Sequence, residues 1–235
     1  MKRLAQIVVL SATLATALVV VAPAGSANEC EGLQVCVPVA GPWVVVPSGG
    51  GMQRPQVEYQ LTCPRRYVVG GLDAELSERG IEVSFSGRLG SPVNPGITTA
   101  RSVVFRASYV GDSPRSTSFR PYIGCVPAAG GGPRVPTALA IVPPGNPTVR
   151  RVKTLRVRPG NASVSARCLA GEHLVASSHA FGFFTRTPPS ASLAAGVTGT
   201  RAARDGRVVV RVQGDAELGG VRAVVQVHAV CARAR

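Results

Sequence analysis

The chain has 235 residues, of which 26 are Lys or Arg and 12 are Asp or Glu, and its formal net charge is +14. The 27 glycines and 19 prolines are scattered through the sequence, and aromatic residues make up only 5 % of it. Such frequent Gly and Pro exclude long helices, and a Val-rich apolar fraction of 45 % is typical of all-β proteins. The scarcity of aromatic rings also argues against base-specific nucleic-acid recognition.

The N-terminus has the features of a secretory signal peptide over residues 1–27. Lys2 and Arg3 precede an uncharged apolar run at 4–21, and small residues follow up to Ala27. An uncleaved anchor is the alternative, because the run is about long enough to span a bilayer. We expect cleavage, a mature charge of +12 instead of +14, no transmembrane span in the mature chain, and a secreted, extracellular or cell-envelope location.

The cysteines predict an internal repeat closed by disulfides. They are Cys30, Cys36, Cys63, Cys125, Cys168 and Cys231. The third and fourth are separated by nearly the same interval as the last two, and inside these intervals SVVFRA (102–107) matches RVVVRV (207–212). The duplication predicts the disulfides Cys63–Cys125 and Cys168–Cys231, which leaves Cys30–Cys36 as a small N-terminal clasp.

Alternation of apolar and polar residues indicates short antiparallel strands in each copy. In VEYQLTC (57–63) and VSARC (164–168), the cysteine shares the apolar face of the strand. We expect an all-β fold of two tandem β-sandwich or small-barrel modules, with little helix beyond the signal peptide. Whether the halves form two sandwiches or share one stays open.

The predicted organisation has four segments after the signal peptide. They are a Cys-clasped N-terminal segment at 28–55, a first module at 56–127, a linker at 128–148 and a second module at 149–235. Within them, 43–46 is a strand candidate and 72–79 (LDAELSER) is the only helix candidate.

The layout C-P-x-x-Y-V-V-G-G…C, which begins at Cys63, resembles a pattern in uncharacterised secreted proteins of high-GC bacteria. The resemblance covers most of 57–127 and, with Leu169 in place of the proline, 162–232. It implies an exported all-β unit that opens on a Cys-Pro strand and closes on a Val-rich strand, and it implies no activity. The ratio of 24 Arg to 2 Lys agrees with such a genome.

No residue pattern predicts catalysis, and we expect no cofactor and no metal. No nucleophile elbow, zinc motif, phosphate loop or calcium loop occurs. His173 and His228 align with Tyr67 and Tyr122 of the first copy, so one hypothesis is a cross-strand pair in each module; independent drift at exposed sites is the alternative. Whether the protein is an enzyme stays uncertain, and the sequence leans against it.

The strongest functional signal is a stretch from 113 to 171 that contains basic residues and no acid. Arginine forks suit phosphate and carboxylate groups. The predicted anion-binding residues are Arg106, Arg150, Arg151, Lys153, Arg156, Arg158 and Arg211. The sequence therefore predicts an envelope-associated binding or structural protein that attaches to an anionic polymer or surface. The alternatives are an extracellular hydrolase and a purely structural protein-interaction module.

Overall fold

The structure is a computed structural model that describes residues 28–33, 35–48, 55–87, 100–111, 117–128 and 148–233. The predicted signal peptide and all but the two ends of the predicted linker lie outside these residues. Strands dominate the described part, so the all-β prediction is confirmed. Neither helical segment found there has the length or hydropathy of a membrane span.

In the described ranges, the strands follow one another with two short helical segments between them. They are β1 (Val37–Ala40), β2 (Trp43–Val46), β3 (Gln56–Thr62), β4 (Tyr67–Leu76), β5 (Ile81–Gly87), β6 (Ser102–Tyr109), β7 (Thr117–Pro127), β8 (Thr148–Val157), β9 (Gly160–Arg167), β10 (Glu172–Phe183), β11 (Val197–Arg204), β12 (Arg207–Gly214) and β13 (Ala223–Arg233). Helix α1 (Ala191–Ala195) precedes β11, and a 3₁₀ helix (Ala216–Gly220) precedes β13.

One large antiparallel sheet runs through both halves of the chain. Its order is β4, β7, then β1 and β2 one after the other along the same edge of β7, and beyond β2 follow β10, β13 and β8. The halves meet where Val44 pairs with Gly182 and Trp43 with Phe183. The order β4–β7–β2 in the first half matches the order β10–β13–β8 in the second. The two halves are therefore not two separate sandwiches, because one sheet is common to both.

Each half of the large sheet packs against its own three-stranded sheet, β3–β6–β5 in the first half and β9–β12–β11 in the second. Tyr59 and Phe105 pack with Phe119 in the first core. Val210 and Val227 lie in the second core. The inward residues are those that the period-2 alternation predicts, because successive side chains of a strand point to opposite faces.

All three predicted disulfides are confirmed: Cys30–Cys36, Cys63–Cys125 and Cys168–Cys231. The second bond joins the end of β3 to β7, and the third joins the residue after β9 to β13. Each long-range disulfide therefore fastens a three-stranded sheet to the large sheet.

The N-terminal clasp lies on the outer face of the first half of the large sheet. A Cβ atom at Gly71 would come within 1.7 Å of the Glu29 carbonyl oxygen, and one at Gly124 within 2.0 Å. Both positions must therefore stay glycine for the clasp to lie this close. The Asn28 backbone N–H also donates to Asp73 at 2.6 Å.

The predicted helix at 72–79 is wrong, because β4 extends to Leu76 and pairs with β7 along its length. Tertiary pairing overrides helix propensity in this segment. The helical turns occur instead at two positions without a sequence prediction. At α1 the Ser190 hydroxyl accepts a hydrogen bond from the Leu193 backbone N–H, which caps the helix N-terminus.

Candidate anion-binding site

The predicted anion-binding residues of β8 point to two different faces of the sheet. Lys153 is opposite Val227, a core residue of β13, so Lys153 and Arg151 lie on the side that faces β9. Arg150 and Arg156 point the other way. The predicted cations of β8 are therefore divided between two surfaces, since alternation along a strand separates neighbours.

Two of the predicted residues are engaged by a single carboxylate. Arg150 is 8 % exposed and donates through both guanidinium nitrogens to Glu58 of β3, with one contact of 3.0 Å. Arg106 of β6 donates to the same carboxylate from Nη2 at 3.0 Å, and the Ser178 hydroxyl donates to it at 2.6 Å. Arg106 therefore joins β6 to β3, and Arg150 joins β3 to the second half of the molecule.

The polar cluster around Glu58 continues through a buried histidine. The His228 side chain has no exposed surface, and its Nδ1 is 3.2 Å from an Arg150 nitrogen. Its Nε2 lies 2.7 Å from the Gln226 amide oxygen. Gln226 also accepts from the Gln60 backbone N–H at 2.6 Å, and donates to the Gln60 carbonyl at 3.2 Å. We call Glu58, Arg150, Ser178, Gln226 and His228 the junction cluster.

Electrostatics fix the protonation states of the junction cluster. Burial alone would raise the pKa of Glu58, but hydrogen bonds from Arg150 and Ser178 and the Arg150 charge outweigh it and lower the pKa to about 2. Burial, with the Arg150 charge, lowers the pKa of His228 to about 3. At neutral pH the cluster thus contains an ionised Glu58 and a neutral His228.

A basic groove lies between the edge strands β8 and β9. It has a volume of about 620 Å³, and four cationic side chains, Arg151, Lys153, Arg167 and Arg207, line it. Arg167 and Arg207 are directly opposite each other on β9 and β12. Leu169, which is 57 % exposed, forms part of the rim. We call these four cations the groove cations.

Two of the groove cations are held in place by neighbouring side chains. Glu172 accepts from Arg151 at 3.1 and 2.6 Å. These hydrogen bonds, with one from the Leu169 backbone N–H, lower the pKa of Glu172, so its carboxylate is an ion-pair partner. Arg207 donates to the Ser165 hydroxyl at 2.9 Å. Lys153 and Arg167 are exposed and form no ion pair with any described residue.

The remaining predicted residues are exposed but lie outside the groove. Arg156 is on the opposite face of β8, and Arg158 follows the last residue of that strand. Arg211 is on the outer face of β12, directly opposite Ser163 of β9. Of the seven predicted residues, the structure therefore brings only Arg151 and Lys153 into the groove.

The hypothesis of a cross-strand histidine pair is wrong. His173 is opposite Ala232, whereas His228 is opposite Ser178, so the two histidines are separated by several residues along β13. The first half has the same offset, with Tyr67 opposite Pro127 and Tyr122 opposite Asp73. The sequence alignment placed these residues at equivalent positions but could not determine which positions are neighbours across the strands.

A shallow depression near His173 also includes Glu172 and Asp205. Both carboxylates have arginine partners, since Glu172 binds Arg151 and Asp205 lies 3.3 Å from Arg204. Glu172, Cys168 and Cys231 also form the one group of potential metal ligands among the described residues, but the two sulfurs are bonded to each other. Neither arrangement gives the two facing carboxyls or the nucleophile–base pair that hydrolysis requires.

Sequence reasoning missed part of the groove. Arg167 lies in the acid-free stretch 113–171, but neither it nor Arg207 belongs to the predicted binding set. Both occupy outward positions of alternating strands, so pairing β9 with β12 in register could have found them. Glu58 had no comparable signal, because outward residues follow the same alternation whether they contact solvent or another sheet.

Fold and site define a disulfide-fastened all-β protein with a basic groove in its second half. Comparison with protein-family models, with curated proteins and with solved structures finds no match to this chain. The function is therefore argued from the groove and from the polar faces of the sheets.

Proposed function

We propose that this protein is an exported, envelope-associated binding protein that attaches to an anionic polymer through the groove cations. The observation that carries this proposal is that four cations from three strands, β8, β9 and β12, converge on one open groove. Glu172 is the one acidic residue bound to a groove cation among the described residues, and it holds Arg151 in place. The groove therefore keeps a positive excess where a ligand can enter.

The shape and chemistry of the groove suit a chain-like anion. The groove is open and follows the edges of two sheets, so an extended polymer can lie along it without a deep pocket. Arginine presents a planar fork that donates two parallel hydrogen bonds to phosphate or carboxylate oxygens. The net charge, +14 for the full chain and +12 without residues 1–27, favours encounter with any polyanion, and the groove gives that attraction a defined site.

Salt dependence tests the polymer proposal. The chain from Asn28 onward is titrated with long-chain inorganic polyphosphate between 50 and 500 mM NaCl. Displacement of counterions by four cations predicts a log–log slope of about −3, as for single-stranded polyanions. Affinity that is unchanged over this range contradicts the proposal.

Charge reversal in the groove tests the location of the site. The double variant Lys153→Glu, Arg167→Glu removes two exposed groove cations, and we expect binding to weaken by about a hundredfold at 50 mM salt. The matched control is Arg79→Glu, Arg186→Glu, which changes the net charge equally at two exposed positions outside the groove. Equal weakening in both variants would show that charge alone governs binding and would overturn the assignment to the groove.

A further inference from the structure

The outer faces of the two three-stranded sheets are equivalent in position but differ in charge. Glu58 and Arg106 are paired across β3 and β6, and Ser163 and Arg211 are paired across β9 and β12. Glu58 and Ser163 have the same spacing before Cys63 and Cys168, and the two arginines have the same spacing after them. The second sheet therefore retains the arginine but has serine where the first sheet has the acid.

In the first sheet, the arginine binds a carboxylate that the chain itself supplies. Arg106 donates to Glu58 from Nε at 3.2 Å and from Nη2 at 3.0 Å, both to the same oxygen. In the second sheet, no described residue forms an ion pair with Arg211. The guanidinium is exposed, so a carboxylate can approach it from solvent.

A depression of about 670 Å³ surrounds Arg211 on the outer face of β9–β12–β11. Apart from this arginine, its functional groups are uncharged and can both donate and accept hydrogen bonds. The side chains that supply these groups are Asn161, Ser163, Thr198, Thr200 and Gln213. One cation within a ring of hydroxyl and amide groups matches a ligand that has one carboxylate and several hydroxyls.

We propose that this depression binds an acidic saccharide of the uronate class. The sugar carboxylate takes the place at Arg211 that Glu58 occupies at Arg106, and the sugar hydroxyls bond the surrounding Ser, Thr, Asn and Gln side chains. The site contains a single cation and therefore favours one carboxylate over a dense polyphosphate. This proposal is independent of the groove, because Arg211 does not line the groove.

The probe is trigalacturonic acid, titrated into the ¹⁵N-labelled chain from Asn28 onward at 50 mM salt, with neutral maltotriose as the matched sugar. We expect saturable shifts at Ser163, Thr200 and Arg211 with the acidic sugar alone. Arg211→Ala should weaken binding at least about tenfold, as removal of a charge-assisted hydrogen bond does. Equal shifts with maltotriose, or shifts confined to the groove, overturn the proposal.

The variant Ser163→Glu supplies in the second sheet the acid that the first sheet has. Its carboxylate should bind Arg211 across the strands and weaken trigalacturonate binding to the same degree. Ala203→Glu adds the same charge at an exposed position of β11 outside the depression, and should retain binding within about twofold. Unchanged binding in Ser163→Glu rejects the site.

The groove variant Lys153→Glu, Arg167→Glu should bind the sugar normally, which separates a failure of this proposal from a failure of the polymer proposal.

Discussion

The outer faces of the two three-stranded sheets have opposite environments. In the first sheet, Val104 is fully buried, and Glu58 is bound by Arg150 of the second half and by Arg106 of its own sheet. In the second sheet, the equivalent residue Val209 is half-buried and Ser163 is exposed. One face thus became an internal junction, whereas its counterpart remains a surface on which Arg211 can meet a ligand.

The difference at one position, Glu58 in the first sheet and Ser163 in the second, accompanies a different use of two equivalent faces. The Glu58 carboxylate beside Arg106 accepts hydrogen bonds from Arg150, so the outer face of the first sheet binds the other half of the same chain. A serine beside Arg211 leaves the guanidinium without an internal partner. The inward faces of both sheets contribute apolar residues to a core.

The largest expected effect follows from removing the junction carboxylate. Glu58→Gln leaves Arg150 buried without a counter-ion, which should lower the free energy of unfolding by about 3–5 kcal/mol. Urea denaturation measures the change. The control is Glu82→Gln, an exposed acid of β5, with an expected change below about 0.5 kcal/mol. A Glu58→Gln protein as stable as the control would show that the junction cluster does not stabilise the fold.

Disulfide removal compares the two halves directly. The long disulfides close loops of nearly equal length, with sequence separations of 62 and 63. Loss of either bond by Cys→Ser substitution should therefore cost about 4 kcal/mol, and loss of the Cys30–Cys36 clasp about 2 kcal/mol. Thermal and urea denaturation of the three variants give the ranking. A clasp variant less stable than both others would contradict it.

Acid should destabilise the protein through the junction cluster. The pKa of Glu58 is about 2 in the folded state against 4.5 for a free side chain, so the unfolded state binds more protons between these values. His228 has a folded pKa of about 3 against 6.5 for a free side chain, so its unfolded state also binds more protons between these values. Stability contributed by Glu58 is present above about pH 5, and we expect about 3 kcal/mol to be lost as pH falls towards 2.

The pH prediction is checked by urea denaturation between pH 2 and 7. The wild-type curve should fall as pH decreases from about 6, because His228 begins to protonate in the unfolded state before Glu58 does. Glu58→Gln should show a shallower loss below pH 5. Identical slopes for the two proteins in that range would mean that Glu58 does not titrate as the junction cluster requires.

The smallest expected effect concerns the free face of the second sheet. Ser163→Glu places an acid opposite Arg211, and an exposed cross-strand pair of this kind contributes about 0.2–1 kcal/mol. Differential scanning calorimetry at low salt should therefore show a slight rise in Tm that disappears at high salt. The control Ala203→Glu should give no rise. A lower Tm for Ser163→Glu would indicate that the two side chains do not meet.

The sequence predicted the features that depend on spacing along one strand or between equivalent cysteines. Alternation identified the inward faces of β3, β9 and β13, and the repeated interval identified the disulfides. The sequence did not predict contacts between the halves. Glu58 and His228 occupy outward positions of their strands, and the alternation pattern is the same whether such a position contacts solvent or another sheet. It also grouped Arg150 with Lys153, which alternation along β8 places on different surfaces.

Mapping an anion onto the protein tests most directly whether binding belongs to the second half. Short polyphosphate is titrated into the ¹⁵N-labelled chain from Asn28 onward, and amide shifts are followed at 50 mM salt. We expect saturable shifts around Arg151, Lys153, Arg167 and Arg207, and no shifts in β3–β6–β5. Shifts spread evenly over both halves, or centred on the first half, would contradict this account.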